Sequence, residues 1–486
     1  MKRGAAFASS TAVLLAGCAG LIATRAPLPA DAAVNKPTAQ GAWIGANGAN
    51  GANGAYVAPE PVPDDWWRLY ESPTLDDLVR LALAANTDLR AAAANLQKAQ
   101  AALELAGAAR EPSTTISASS TFSRPSAQEE GHPGKPLPSK FVYGAGFSVS
   151  YQVDLFGQIQ RSIDAAQEDV GSATAARDAV RVTVVAETTR AYLELCSAGR
   201  EIVVAKNQVD LQSRSTELTR RLAALGRGTP VDVDRSSVQE EQVRASIPSL
   251  EAQRRVAMFR LAALTGRAPA ELPRALGDCV QEPRLGKPIP VGDGASLLRR
   301  RPDVRRAEFE VLSASDRIGV ATGDLYPKVF LGASIASVGA DQNAFRSDSF
   351  KFSLGPLVTW EFPDRTRVQA RIHGAEADRE AALARFDGVV LSALKETESA
   401  LEVHARDQER RAILQSARTQ AQNAARDTQR QFEAGRIGYL PVLDAQRTLA
   451  QVEQNVAAAE SRVAADQVNL FLALGGGWAE VDQPRR

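Results

Sequence analysis

Few side chains in this sequence have reactive chemistry, and the first is a thiol. Residues Leu15-Ala16-Gly17-Cys18 follow a basic start, Lys2-Arg3, and an apolar run ending Ala12-Val13-Leu14-Leu15. That layout matches a bacterial export signal cut just before a cysteine, which then carries lipid. Lipidation of Cys18 is the expected chemistry. The apolar run is too short to cross a bilayer as a helix. Ala19 brings no acidic retention cue, which favours the outer membrane over the inner one. Two cysteines remain. Cys196 and Cys279 could pair in an oxidising periplasm, although one falls in a predicted helix and the other in a linker, so the pairing stays open.

His132, His373 and His404 have no metal-ligand spacing, and each is expected on the surface. No Cys-x-x-Cys pair, zinc-binding His pair, phosphate-binding Gly-Lys loop or Gly-x-Ser-x-Gly elbow occurs. The sequence therefore offers no catalytic residue, metal ligand or cofactor site, and the chain does not read as an enzyme. Lys+Arg and Asp+Glu balance at 57 each, which argues against nucleic acid held by bulk charge. At 486 residues the chain exceeds the usual single domain.

Its organisation is a duplication. Residues 1–17 read as the signal peptide and 18–63 as a lipidated flexible tether, with Gly45-Ala46-Asn47 repeated through Ala55. A first repeat spans 64–278, a linker 279–292, a second repeat 293–478 and a tail 479–486. Asp88 and Asp303 lie 215 apart, as do Pro112 and Pro327. Gly228 and Asp234 match Gly438 and Asp444, each 210 apart. Both halves close alike, with Leu264-Thr265-Gly266 against Leu474-Gly475.

Each half reads helix, two strands, a very long helix, turn, helix. From Tyr143 to Leu155 apolar residues alternate with small or polar ones, and Phe350 to Phe362 repeats the pattern. Partner strands are predicted at 114–123 and 328–338, with loops at 124–140 and 339–349. Such strands suit either a transmembrane β-barrel or a sandwich with one wet face, and the lipid address favours the barrel. Predicted helices over 158–226 and 365–434 are each about 105 Å long. The shorter helices 74–110 plus 232–266, and 293–325 plus 440–474, match those lengths when stacked end to end. Four strands cannot close a spanning barrel alone, so the chain is expected to oligomerise.

At this point the chain resembles the TolC/OprM-type outer-membrane efflux factors, in their lipidated NodT-like branch. The residues that carry the resemblance are Leu297-Leu298-Arg299-Arg300-Arg301-Pro302-Asp303-Val304, Ala307-Glu308, Ile318-Gly319 and Tyr326-Pro327. To these add Gly435 through Gln446, Cys18 and the terminal Leu474-Gly475-Gly476-Gly477-Trp478. The resemblance covers about 60–478 in order. It implies an α+β homotrimer, a 12-stranded β-barrel in the outer membrane continued by a long α-helical coiled-coil periplasmic tunnel. It also implies a periplasmic adaptor protein and an inner-membrane, proton-driven pump of the resistance-nodulation-division class as partners. The implied function is passive export of small toxic compounds or drugs; a type I secretion conduit for polypeptides shares the architecture.

Carried onto this sequence, the adaptor-docking tip falls on Gly226, Arg227 and Gly228 and on Gly435, Arg436, Ile437, Gly438, Tyr439, Leu440, Val442 and Leu443. Asp234 and Asp444 would stand near the constriction, where carboxylates from three chains repel and bind cations. The alternative is that both aspartates begin helices. Pro441 stands where some relatives place an acid, and whether Asp232 compensates is open. Arg301-Pro302-Asp303 suits a helix start rather than a substrate site.

Overall fold

The structure, a computed structural model, describes residues 29–45, 56–124, 126–128, 131, 133–340, 345–360, 362 and 365–477. The export signal, Cys18, residues 46–55, His132, Trp478 and the tail 479–486 lie outside the described residues. In chain order the elements are α1 (Pro37–Gln40), β1 (Val57–Ala58), α2 (Pro73–Ala85), α3 (Thr87–Ala108), β2 (Ser113–Ser123), β3 (Lys140–Val153), α4 (Gln158–Ala224), α5 (Pro230–Arg244), α6 (Ser246–Leu264), β4 (Ile289–Pro290), α7 (Gly294–Arg300), α8 (Pro302–Gly323), β5 (Lys328–Ala340), β6 (Phe350–Thr359), α9 (Arg365–Glu433) and α10 (Tyr439–Ala473). Contacts group the chain into two compact units, each drawing on both repeats.

One unit comprises 96–173 and 307–386 and holds an antiparallel sheet of order β2-β3-β5-β6. Register decides which residues share a face. Ile116 sits opposite Phe147, Phe147 opposite Ile335, and Ile335 opposite Phe352. One step along, Thr114, Val149, Ala333 and Leu354 form the next row. The apolar set predicted by alternation therefore lies on one continuous face. Nothing among the described residues covers it: Phe352, Leu354 and Ile116 remain 85%, 83% and 82% exposed. Among the described residues the outer edges, β2 and β6, each have one neighbour. Where α4 begins, the Asp154 carboxylate accepts from the Ile159 and Gln160 amides at 3.1 and 2.9 Å. Phe156 stacks on Tyr326 with ring centroids 4.6 Å apart.

The other unit comprises 29–95, 174–306 and 387 onward. Three predicted helices are broken here, each for a local reason. The 74–110 helix stops at Asn86, whose extended backbone lets its Oδ1 accept from the Asp88 and Leu89 amides. Its amide also donates to Leu264 O at 3.1 Å. Pro302 forces Arg301 into an extended conformation and splits 293–325. Pro248 lacks the N–H that would bond Arg244 O, so 232–266 divides near Ala245.

Each half of the chain has a joint between helix ends, made with different chemistry. In the first, the Asn86 amide meets the end of α6. In the second, Arg301 meets the end of α10, donating to Ala473 O at 2.9 Å while its other nitrogens hold Asp303 and Glu396 at 2.7 and 2.8 Å. Pro302-Asp303 thus opens α8, and Arg301 is structural. Arg301→Ala should cost about 2–3 kcal/mol, below the range for fully buried pairs because both carboxylates are partly solvated. Urea unfolding would check it.

Residues 29–45 and 56–62 depart from the expected flexible tether. Trp43 is buried and donates to Val291 O at 3.2 Å, and Glu398 accepts the Ile44 and Gly45 amides at 2.8 Å each. β1 pairs in parallel with β4. A tryptophan and a short strand supply burial that the small, polar composition around them concealed. His404 is a second departure: expected on the surface, it is 1% exposed on the buried side of α9. His373 is exposed as expected. The pairing left open for the cysteines is resolved: Cys196 and Cys279 form a disulfide tying the linker to α4.

The stapled linker carries a buried acid. Burial pushes the Glu282 carboxyl up to about 7, against the pull of Arg200 at 3.5 Å. The folded state therefore holds this proton more tightly than the unfolded chain, whose glutamate titrates near 4.5. The stabilisation is complete below that value and lost as pH rises through about 7. Glu282→Gln should flatten this slope and raise stability at pH 8 by up to about 3 kcal/mol. Melting temperatures at pH 5 and pH 8 for both proteins would test it.

Candidate functional site at the paired helix turns

All the tip residues named above fall in the unit that includes 174–306 and 387 onward. Both long helices end in the same way. Gly226 takes a φ of 69°, its amide bonding Ala223 O and that of Arg227 bonding Leu222 O. Gly435 takes 68°, with its amide on Phe432 O and that of Arg436 on Gln431 O. This paired closure of the last carbonyls needs a left-handed residue, which is why glycine stands at both places.

The helices that follow start differently. α5 opens with a reciprocal cap: Thr229 Oγ1 accepts the Asp232 amide at 3.3 Å and Asp232 accepts the Thr229 amide at 3.1 Å. α10 has Gly438 before it and no side-chain cap. Apolar packing replaces the cap. Tyr439, Val442 and Leu443 are buried together, with Phe432 and Ile437 packed against them. Ile437 before the turn and Val442 after it form a hydrophobic staple.

These details settle the role of one acid and narrow two others. Asp232 is the cap. Asp234 lies beyond it inside α5, and Asp444 lies well inside α10, both exposed. Neither begins a helix. Leu440 points outward and is 51% exposed.

Tyr439 does what its place in a turn motif did not reveal. Its hydroxyl donates to Ser236 Oγ at 2.8 Å and meets Ser215 Oγ at 3.2 Å. Ser236 also bonds Thr216 at 2.9 Å and Gln212 at 3.2 Å. One phenol from the second repeat thus joins a buried polar network between α4 and α5 of the first. Arg447 adds a bond to Gln239 at 3.1 Å.

Away from the turn, α10 faces α9 through polar rungs seven residues apart. Gln446 donates to Gln429 at 3.5 Å, Gln422 to Glu453 at 3.4 Å, and Gln415 to Glu460 at 3.3 Å. Glu453 also accepts from Gln208 of α4, and Glu460 from Arg200. The heptad spacing is that of a coiled coil, with amides and carboxylates setting the register.

The arrangement contains no catalytic constellation: hydroxyls, amides and apolar side chains hold two helix turns together, and exposed acids stand beside them. Comparison with known proteins gives the setting. The sequence profile of the outer membrane efflux protein family matches residues 78–267 and 295–476. The chain belongs to that family. Its similarity to nodulation protein T of Rhizobium leguminosarum bv. viciae is 27% identity over 86% of each chain. To the pyoverdine export outer membrane protein OpmQ of Pseudomonas aeruginosa it is 29%, over 85% of this chain and 87% of that one. A solved structure of the outer-membrane channel OprN superposes with a TM-score of 0.84 at 30% identity, covering 94% of this chain and 99% of the other. The family resemblance expected from the Arg301-Pro302-Asp303 and Gly435–Gln446 motifs is thereby established.

Proposed function

We propose that three copies of this outer membrane efflux protein form a conduit across the outer membrane and through the periplasm, exporting small toxic compounds or drugs. The observation that carries the reading is the four-stranded sheet. It exposes one continuous apolar face and leaves β2 and β6 without outer neighbours. In lipid such edges would cost several kcal/mol for each unpaired group. Pairing β6 of one copy with β2 of the next satisfies them, and three copies give twelve strands. Each strand has between 10 and 14 residues, enough for the roughly 9–11 a crossing needs. No described helix is long and apolar enough to cross a membrane, so the strands are the spanning elements in this reading.

Lipid on Cys18 holds the N-terminus at the outer membrane. The paired turns face a periplasmic adaptor protein, with Gly226-Arg227-Gly228 and Gly435 through Leu443 as the docking surface. An inner-membrane, proton-driven pump of the resistance-nodulation-division class supplies the energy, so the channel itself carries out no reaction. Export of pyoverdine, named for the relative OpmQ, supports small compounds over secreted polypeptides as cargo.

Drug and dye susceptibility of a deletion strain, with and without the gene restored, tests the cargo. Restored resistance is expected; a defect confined to a secreted polypeptide would move the assignment to a type I secretion conduit. Asp234 and Asp444 form the gate in this reading. Asp444→Ala should raise single-channel conductance severalfold in planar bilayers, because the ring loses the carboxylates whose shared cation would draw three chains together. Unchanged current would remove Asp444 from the gate. Loss of palmitate labelling in Cys18→Ala, with trimers still formed, is the result expected of the lipid site.

A further inference from the structure

The regular ladder between α9 and α10 breaks at one rung. Seven residues beyond the Gln415–Glu460 pair stand Gln408 and Gln467, and the two do not bond each other: Gln467 accepts from Tyr70 at 3.3 Å, while Gln408 Oε1 is buried without a partner. Beside them lies a cavity of about 270 Å³ whose walls include His404, Gln408, Arg411, Glu460 and Gln467, with Lys287 from the linker. That volume exceeds what one or two waters fill.

The hydrogen-bonding capacity of this wall is specific. Gln408 Nε2 is a donor and lies 3.4 Å from His404 Nε2, which must accept. The ring proton of neutral His404 is therefore on Nδ1, a buried atom with no partner. His404 stays neutral because burial, with the charge of Arg411, pushes it down to about 4. Arg411 Nε is likewise buried without a partner. Arg411 and Lys287 pair with no carboxylate among the described residues, while Glu460 is engaged by Arg200 and by Arg284 at 3.7 Å. The cavity thus offers two buried N–H donors, an exposed ammonium at its mouth, three lining cations (Arg284, Lys287 and Arg411) against two lining carboxyls (Glu282 and Glu460), and two buried oxygens without partners, Gln408 Oε1 and Glu282 Oε1.

We propose that this cavity binds a small oxyanion that still carries a proton at pH 7, monohydrogen phosphate. Its anionic oxygens accept from Arg411 Nε and His404 Nδ1 and meet Lys287; its P–OH donates to Gln408 Oε1. A fully ionised anion of the same size leaves that acceptor unsatisfied, which fixes the selectivity. The bound group would complete the missing rung and join the linker to the α9–α10 pair.

Titration calorimetry of the purified full chain in detergent, at pH 7 in a buffer free of oxyanions, tests the assignment with inorganic phosphate, glycerol phosphate and sulfate. Saturable binding of phosphate is expected, with sulfate at least about tenfold weaker. Glycerol phosphate, largely a dianion without a P–OH at pH 7, should bind more weakly than phosphate; binding as tight as that of phosphate would overturn the proposal. Arg411→Gln should weaken phosphate at least about tenfold. Lys287→Gln, a change on the exposed surface, should weaken it severalfold without disturbing the fold and decides the matter if Arg411→Gln does not fold. No saturable heat with phosphate, equal binding of sulfate, or binding unchanged in Lys287→Gln would overturn the proposal and leave a water-filled cavity.

Discussion

Replacing Cys279 with serine should lower the unfolding free energy by about 4.5 kcal/mol. The disulfide closes a loop of 83 residues, and the chain-entropy relation for a loop of that length gives this magnitude. The loop contains the end of α4, the first helix turn, all of α5 and α6 and the start of the linker. Cutting the bond therefore releases the whole first hairpin from the linker in the unfolded state, rather than one surface contact. Local geometry makes the bond hard to replace. The Cys279 carbonyl lies so close to α4 that a Cβ at Gly199 would stand 2.0 Å from it. Gly199, one turn after Cys196, is the seat on which the linker rests. Gly199→Ala should cost about 1–3 kcal/mol with the disulfide intact, because backbone must move to admit the methyl group. Urea midpoints of the oxidised protein, the Cys279→Ser variant and Gly199→Ala separate covalent from steric contributions. A Cys279→Ser protein as stable as the parent would show that packing of the linker alone holds the hairpin.

What could be read from the sequence depended on the kind of signal each element carries. Strict alternation over Tyr143–Leu155 and Phe350–Phe362 identified the strands and the composition of the exposed face, because a period of two leaves no choice of side. The long helices were legible from length without proline. Three features were not, each for a physical reason. The break at Asn86 depends on an asparagine capping from within a run that is periodic on both sides, and only the following Thr87-Asp88 hints at a new first turn. The docked segment 29–45 has almost no periodicity, and its single tryptophan anchors it. The polar ladder was present in plain spacing, with Gln408, Gln415, Gln422 and Gln429 against Gln446, Glu453, Glu460 and Gln467, yet a search for apolar stripes passes over a polar heptad. His404 was misjudged because its neighbours in sequence are charged, while the cavity beside it is walled by Tyr56, the linker and α10.

The candidate gate shows the same divide between position and chemistry. The sequence located both turns, but gave Tyr439 no role beyond membership in a motif. Its phenol is the only group of the α10 start that reaches the Ser215–Ser236 network directly among the described residues. Tyr439→Phe keeps the ring against Phe432, whose centroid lies 5.5 Å away, and removes only the hydroxyl. About 1–2 kcal/mol of stability should be lost, since Ser236 retains Thr216 and Gln212 as partners. Tyr439→Ala also empties the apolar cluster and should cost about 3–5 kcal/mol. If the hydroxyl is the clasp between the two repeats, Tyr439→Phe should already raise resting conductance in bilayers, and Tyr439→Ala should add little to it while lowering stability much further. If the ring is the clasp, conductance will follow stability instead, near parental in Tyr439→Phe and high in Tyr439→Ala. The two readouts diverge because a hydrogen bond between helices resists their separation along one direction, whereas a buried ring resists it in all.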